Sequence, residues 1–472
     1  MPTFSHSAGT ALHDDAPPFL TTADGGVIVL DAPVAALWAA ANGHTTATLV
    51  ERFAGEAALQ DIVEDTLSCL VHARALTTTS APPATMSHPR ASTNAPHLPL
   101  VSIIIVVSST RELEFLDECL QSIAESRYQA KQLVLVDNAS GCDLQATLDR
   151  YCRRDEGKIV DCASRVCLAR ASNLAMNAAD GAYALLMNPD VKVHRDCIAH
   201  LVACAGRGTR VAAVVPKTRF WRTPAFINAI GNRVTPLTWG TDNGIGQLDL
   251  GQFDEWTHAP SASLTIELIS REAWLDVGPF DERYPAYYED ADWAYRARLI
   301  GWNIRAEPAA EAFHIFGGFW DTETPGSLSV RKLETAAIGR LRWTWKIAGP
   351  RLLAKLLKNF LIQDTINAWI DYRDADGQVA RALVRAWAKV TVRLPSLVRD
   401  RLRLQRRRAI NDDVLFPPER SQPKSYTCRN APVLTSAIIR EEYAPILRRG
   451  PRGRDADSAR AADAAPGHPG SL

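Results

Sequence analysis

The residues best equipped for chemistry stand at the end of an apolar run. Residues 182–187 (Ala-Tyr-Ala-Leu-Leu-Met) have the length and composition of a buried strand and lead into Asn188-Pro189-Asp190-Val191. Pro189 fixes its own φ and biases Asn188 toward extended backbone. Asn188 and Asp190, two residues apart, then project to the same side. Oxygen ligands of this kind suit Mg2+ or Mn2+ that also holds a diphosphate. The same residue types also make an ordinary strand-end turn, so the choice depends on what the chain brings beside them.

Holding such a tip requires a sheet. Residues 98–107 form a near-continuous apolar run, the signature of a parallel strand covered on both faces. A second run at 132–136 ends in Asp137-Asn138-Ala139-Ser140, and 158–160 reads as a short third strand. Helical stretches separate them: one with Leu113, Leu116, Leu120 and Ile123 on a single stripe, then 144–153 and 169–179. The order β-α-β-α-β-α-β predicts an α/β fold with a doubly wound, mostly parallel sheet. Ligands of such sheets collect at the carboxyl ends of the strands. Ser108, Asp137 and Asp190 each follow a strand and are predicted to face one crevice. No Walker-type loop or G-x-G-x-x-G follows the first strand, which argues against a dinucleotide-binding enzyme.

With these residues in view, the central segment resembles the family-2 glycosyltransferases of GT-A fold, most closely the rhamnosyltransferase-like branch. The resemblance rests on Val101-Ser102-Ile103-Ile104-Ile105-Val106, Val136-Asp137-Asn138-Ala139-Ser140, Asn173 eight residues before Gly181, and Leu186-Met187-Asn188-Pro189-Asp190-Val191. It continues through Gly278-Pro279-Phe280-Asp281-Glu282, Tyr287-Tyr288-Glu289-Asp290-Ala291-Asp292-Trp293 and Gly301-Trp302. It spans residues 98–320 and implies transfer of a sugar from a nucleotide-sugar donor with Mg2+ or Mn2+. Val106 and Ser108 would line the nucleotide pocket, and Asp137 would hydrogen-bond the uracil or thymine ring. Asn173 and Asn188 would lie near the sugar and ribose. Asp190 would hold the metal, with His314 where the family often has a late metal-binding histidine. Asp290, with Glu289 beside it, would be the general base, and Asp292 would be structural or on the acceptor side. Glu289 and Asp290 also suit the first turn of a helix on electrostatic grounds. Two segments depart from the family pattern. Val107-Ser108-Ser109 replaces Thr-Tyr-Asn, and Arg165-Val166-Cys167-Leu168 lacks the usual Asn and Gly. Residues 220–253, rich in Trp, Asn and Gly, read as a loop-like insertion of the kind that selects an acceptor.

The flanks carry different signals. Residues 1–23 read as loose. Residues 24–77 have a strand, a helix with Leu37 and Trp38, the turn Asn42-Gly43-His44-Thr45 and two further amphipathic stretches, the last with Leu67 and Leu70. This winged-helix-like pattern resembles the PqqD-like peptide-recognition modules, in which a leader peptide adds as a strand to a sheet edge. Residues 78–97 form a Thr/Ser/Pro-rich linker. Lys and Arg total 53, as do Asp and Glu, yet residues 331–410 hold 19 Lys/Arg against 6 Asp/Glu. The region 321–415 therefore reads as basic, helical and amphipathic, suited to an anionic membrane surface or to packing on the catalytic domain. Residues 450–472 read as a disordered tail. Nothing resembles a base-reading motif, so nucleic acid is not an expected partner. The nine cysteines are odd in number and lack a C-x-x-C pair, which fits a reducing cytosol rather than a disulfide framework. No secretory signal or membrane span is apparent. The expected place is cytoplasmic, peripheral on the inner membrane face, with a glycan or lipid-linked glycan as acceptor.

Overall fold

The structure is a computed structural model. It describes residues 98–152, 157–222, 224, 226–234, 240–247, 249, 253–315, 330–374 and 377–416. Of the N-terminal segment it describes 4–8, 11–13, 19–21, 27–29, 32–53, 67, 70 and 76–78. Most of the expected linker and the whole expected 450–472 tail lie outside the described residues, as does most of the last amphipathic stretch of the N-terminal segment.

The N-terminal segment is more ordered than its composition suggests. Strand β1 (Phe4–His6) pairs antiparallel with β5 (Leu76–Thr78), and β2 (Ala11–His13), β3 (Phe19–Thr21) and β4 (Val27–Val29) form a second sheet. Residues 1–23 are thus not loose throughout: Phe4 and Leu20 are buried and anchor strands too short for alternation to reveal. Helices α1 (Ala32–Ala41) and α2 (Thr46–Phe53) follow the expected pattern, with Leu37, Trp38 and Leu49 buried.

The central domain is built on the expected α/β sheet. Its parallel half comprises β6 (Val101–Val107), β7 (Lys131–Asp137), β8 (Gly157–Asp161) and β9 (Tyr183–Met187), in the order β8-β7-β6-β9. Helices α3 (Leu113–Ala124), α4 (Leu144–Tyr151) and α5 (Leu168–Ala178) make the crossovers. Because β7 lies on one side of β6 and β9 on the other, the chain reverses direction across the sheet there. Such a switch point opens a crevice at the strand ends. Beyond β9 come β15 (Ile266–Ser270), β11 (Val211–Phe220), β16 (Asn303–His314) and β10 (Val191–Val193). Strands β15 and β10 run antiparallel to their neighbours, while β11 and β16 are parallel. Helix α6 (Cys197–Gly206) covers β11 and β16. Apolar layers cover both faces, one including Ile103, Ile105 and Leu185 and the other Ile104, Val134 and Trp293.

The insertion after β11 is not wholly loop. It contains β12 (Ile227–Ala229), paired with β11, and a hairpin of β13 (Asn232–Val234) and β14 (Gly240–Asp242). Helix α7 (Arg271–Val277) leads to the turn before α8 (Glu289–Leu299).

The basic region is helical, as expected: α9 (Val330–Ile347), α10 (Pro350–Asp374), α11 (Gln378–Val392), α12 (Leu394–Gln405) and the short α13 (Asp412–Leu415). Its opening stretch is not a lipid-facing surface. Leu341, Trp343 and Ile347 are buried, and so are Arg342 and Lys346. Lys346 Nζ lies 2.9 Å from Asp281 and 2.5 Å from Asp292, and Arg342 lies 2.5 Å from Asp281. Charged groups this deeply buried persist because they are paired, so α9 is a fixed cover on the central domain.

Candidate active site

The tips of β6, β7 and β9 lie side by side at the switch point. Ser108 follows β6. Its N–H donates to Glu112 Oε2 at 2.6 Å, and its hydroxyl accepts from Asn138 Nδ2 at 3.2 Å. Asn138 also holds Val166, accepting from its N–H at 2.8 Å and donating to its carbonyl at 3.1 Å. Arg165 donates to the Ser108 carbonyl. The two segments that depart from the family pattern therefore meet and fasten each other. Val106 lies half-buried on β6 beneath them.

Asp137, at the tip of β7, does not cap the next helix; Asp143 does, accepting from the Ala146 N–H. Asp137 Oδ1 accepts from the N–H of Ser140 at 2.8 Å and from its hydroxyl at 2.7 Å, which closes the turn. Asn173 is buried in α5. Its oxygen accepts from the Phe280 N–H, and its nitrogen donates to the Phe280 carbonyl and Glu282 Oε1, each at 3.0 Å. The structure thus puts it behind Glu282, bracing the Gly-Pro-Phe-Asp-Glu turn. Asn188 is half-exposed, with its backbone tied to Thr265 and Val191.

Asp190 and His314, 124 residues apart in the chain, meet through strand pairing. Val191 lies opposite His314 in the β10–β16 ladder, so Asp190 at the head of β10 reaches the histidine. His314 Nε2 is 3.6 Å from Asp190 Oδ1, too far for a hydrogen bond. Asn228 Oδ1 lies 3.1 Å from His314 Nδ1. An oxygen there takes the Nδ1 proton, so Nε2 is the ring nitrogen turned toward the carboxylate. Asp190 Oδ1 is buried with no hydrogen-bond partner. A buried carboxylate oxygen without a hydrogen-bond donor beside an imidazole nitrogen forms an arrangement that a cation satisfies. The buried asparagine behind the histidine is the kind of second contact that orients a metal-ligating imidazole. Among the described residues no three His, Cys, Asp or Glu side chains are grouped to hold a metal by themselves. Mg2+ and Mn2+ commonly take one or two protein ligands and complete their shell with phosphate and water.

Asp290 stands in the first turn of α8, just after a strained approach. Tyr287 and Tyr288 have φ of 64° and 69°, a left-handed conformation that bulky side chains rarely adopt. Asp290 Oδ2 accepts from Asn232 Nδ2 at 3.3 Å and the Leu264 N–H at 3.4 Å, and Oδ1 from the Ala291 N–H at 2.7 Å. Burial raises its pKa against the pull of these donors. Glu289 is buried with Oε2 unpartnered, and burial together with Asp290 pushes it up to about 8. Asp242, on the β13–β14 hairpin, is pushed up to about 7 by burial and Asp290, and His314 opposes this. Asp242 is thus close enough to feel both Asp290 and His314, which links the general-base candidate to the Asp190–His314 pair. Glu112 is pushed up to about 7 by burial, opposed by the Ser108 N–H and reinforced by Asp190. Asp292 faces inward, taking Tyr284, Arg296 and Lys346, and is structural.

Sequence reasoning did not single out Glu112, Asn228, Asn232, Asp242 or Glu267. Glu267 is 1% exposed, with both oxygens unpartnered. Its visible signal is a lone acid inside the apolar strand Ile-Glu-Leu-Ile. The others lie in the insertion or a helical turn, where acids and amides are unremarkable.

Acids at the strand ends beside the switch point of an α/β sheet are a setting for a phosphorylated ligand held with a cation. Residues 103–272 match the family model described as glycosyl transferase family 2, and the chain carries a glycosyltransferase domain. The matched segment includes Ser108, Asp137, Asn173, Asn188 and Asp190; Glu289, Asp290 and His314 lie beyond it. No curated protein matches by sequence. Among solved structures, the chain is similar to the mannosyltransferase PcManGT from Pyrobaculum calidifontis in complex with GDP-Man and Mn2+ (16% identity, 75% of this chain and 89% of that one, TM-score 0.40). It is also similar to S. aureus TarS 1-349 in complex with UDP-GlcNAc (14% identity, 75% and 93%, TM-score 0.41). A third is GalNAc-T7 with UDP, GalNAc and Mn2+ (15% identity, 58% of each chain, TM-score 0.41). Each of those ligands belongs to the protein it was solved with.

Proposed function

We propose that this chain is an inverting, metal-dependent glycosyltransferase that moves a sugar from a UDP- or dTDP-sugar to an acceptor hydroxyl. The rhamnosyltransferase-like motif set is the reason for including dTDP-sugars. The acceptor is a surface glycan or lipid-linked glycan, met by a cytoplasmic enzyme peripheral to the inner membrane face. The observation that carries the reading is the buried Asp190 oxygen that lacks a hydrogen bond and stands 3.6 Å from His314 Nε2. Asp190 and His314 would hold Mg2+ or Mn2+, which supplies positive charge to offset the leaving diphosphate. Asp137 and Ser108 line the nucleotide side, with Val106 beneath, and Asn188 stands beside the metal pair. Asn173 acts by holding Glu282.

On the acceptor side Asp290 takes the hydroxyl proton as the oxygen attacks. Its raised pKa gives it the basicity this needs near neutral pH. One base suffices for inversion, because attack comes from the face opposite the leaving group. Burial supplies that basicity, and Glu289 and Asp242, both raised by Asp290, stay largely protonated beside it.

The experiment is a donor panel of UDP- and dTDP-sugars with Mn2+, read as release of nucleoside diphosphate and as anomeric configuration of the product. Asp290→Asn should lower transfer by about 10²–10⁴-fold and leave nucleotide binding intact. Donor hydrolysis at the parental rate in Asp190→Ala and Asp290→Ala proteins would discard the assigned site.

A second reading rests on the N-terminal sheet, whose strands β2 and β4 each pair, among the described residues, with β3 alone. Such edges accept an added peptide strand, so a PqqD-like module here would recruit a ribosomally made peptide for glycosylation, or would make the chain a peptide and membrane adaptor of weak activity. A short precursor peptide encoded beside this chain, bound by it and glycosylated by it, would establish the recruiting enzyme.

A further inference from the structure

Helix α10 has two unlike sides. Leu356, Phe360 and Asp364 face inward and are buried. The Asp364 carboxylate lies 2.6 Å from Arg340 and accepts from Trp387 Nε1 at 2.9 Å, and the Arg340 guanidinium stands 4.2 Å from the Phe360 ring centroid. That side fixes the helix to α9 and α11. The opposite side carries Arg351, Lys355, Lys358, Ile362, Ile366, Trp369 and Arg373, all exposed. At 3.6 residues per turn these positions fall within about 80° of one another around the axis. The stripe contains no carboxylate. Its first half is basic and its second half apolar, with Ile366 46% and Trp369 59% exposed. Leu361, Ile370 and Tyr372 flank the apolar half and are also exposed. The Arg373 guanidinium lies 4.8 Å from the Trp369 ring centroid.

We infer that this outer stripe of α10 is a docking surface for an anionic lipid bilayer, with the helix lying in the plane of the headgroups. The stripe is straight and about 33 Å long at 1.5 Å per residue, which fits a plane rather than a pocket. Its composition is that of an interfacial helix: Trp and Tyr beside Ile and Leu, bordered by Lys and Arg that meet headgroup phosphates. No helix among the described residues is long and apolar enough to cross a membrane, so attachment is to the surface. A second copy of the chain fits less well. Antiparallel pairing of two such helices would set Arg351, Lys355 and Lys358 of each against the apolar half of the other and strip them of water. The surface stands apart from the donor chemistry, so its failure would leave the transferase reading untouched.

The test uses the full chain and sedimentation with sucrose-loaded vesicles, either pure phosphatidylcholine or with 30% phosphatidylglycerol (a fraction of roughly the size that gives a strong surface potential). The expected result is pelleting with the anionic vesicles only, weakened by salt. Ile366→Asp/Trp369→Asp and, separately, Lys355→Gln/Lys358→Gln should each cut the partition coefficient about tenfold or more. Both variants alter exposed residues outside the active site, so circular dichroism and donor hydrolysis should match the parent. No pelleting by the parent, or pelleting that both double variants retain, overturns the inference. So does a parental dimer in light scattering that Ile366→Asp/Trp369→Asp converts to a monomer, which would identify the stripe as a contact between copies.

Discussion

Asp190→Asn separates a metal ligand from a structural carboxylate, because the two roles predict opposite changes in stability. The substitution preserves shape and removes the charge. In the metal-free protein, Asp190 Oδ1 is a buried acceptor with no hydrogen-bond donor, a defect costing about 1–3 kcal/mol. An asparagine there carries no charge to be held away from water. The metal-free variant should therefore melt at or above the parental midpoint. With ligand present the order reverses. Mn2+ and UDP at about one hundred times their dissociation constant add about 2.7 kcal/mol to the folded state. For a domain of about 220 residues each kcal/mol moves the midpoint by about 2–4 °C. The parent should thus gain about 5–10 °C from Mn2+ with UDP, and the variant almost none. Differential scanning fluorimetry with no ligand, Mn2+ alone, and Mn2+ with UDP reads all three states. A metal-free variant well below the parent, or one that gains the full shift, would mean that Asp190 serves the fold and that the cation binds elsewhere.

Three further outcomes follow from the same geometry. The transfer rate should climb with pH along a limb above the ordinary aspartate range, because Asp290 works deprotonated and burial raises its pKa; Asn232→Ala removes a hydrogen bond that stabilises the Asp290 carboxylate and should move that limb to higher pH in a pH–kcat/KM profile. Lys346→Met should cost about 3–5 kcal/mol in urea unfolding, toward the lower figure because Arg342 and Arg283 still reach Asp281. Burial alone would raise Asp281, but Lys346, Arg283 and Arg342 outweigh it and hold the carboxyl well below its usual range. Its stabilising effect is present above the unfolded value of about 3.9 and disappears as pH falls through the folded value, so the parent–variant gap should narrow in strong acid. Finally, a Cβ at Gly339 would stand 2.8 Å from the Tyr288 ring and 3.2 Å from the Tyr287 carbonyl; Gly339→Ala should cost about 1–3 kcal/mol and lower kcat while leaving UDP binding unchanged by calorimetry.

The parallel strands were legible because both their faces are covered, so each is a continuous apolar run that local composition reveals. The carboxylates at their tips were legible for the same reason, as polar residues where such runs stop. Pairings across the sheet are another matter. Nothing near His314 indicates that β10 will lie against β16, and the histidine was named only through resemblance. Asn228 and Asp242 sit on short strands of an insertion whose Gly and Asn content reads as loop. That 341–347 left two readings open, lipid surface or packing on the catalytic domain, has a plain cause. Periodicity reports that Arg342, Trp343 and Lys346 recur on a helix, but not that Asp281 and Asp292, more than fifty residues earlier, wait to neutralise them. A basic face looks the same from sequence whether it meets lipid, water or buried acid.

That pairing changes what the C-terminal region is. The excess of acid in the body and of base in the tail cancel over the whole chain, and part of the cancellation happens inside the interface where α9 crosses the segment leading to α8. The segment itself is strained: Tyr287 and Tyr288 both hold positive φ, at about 1–3 kcal/mol each. Such a backbone persists only where its surroundings over-determine it. Here the Tyr288 hydroxyl accepts from the Gly240 N–H, its ring packs on Trp343, and the Gly339 backbone leaves the room the ring occupies. Two of those three constraints come from α9. The placement of Asp290, two residues on, is therefore set by a helix that lies outside the matched family segment, and the basic region acts as part of the site's framework rather than as an appendage to it.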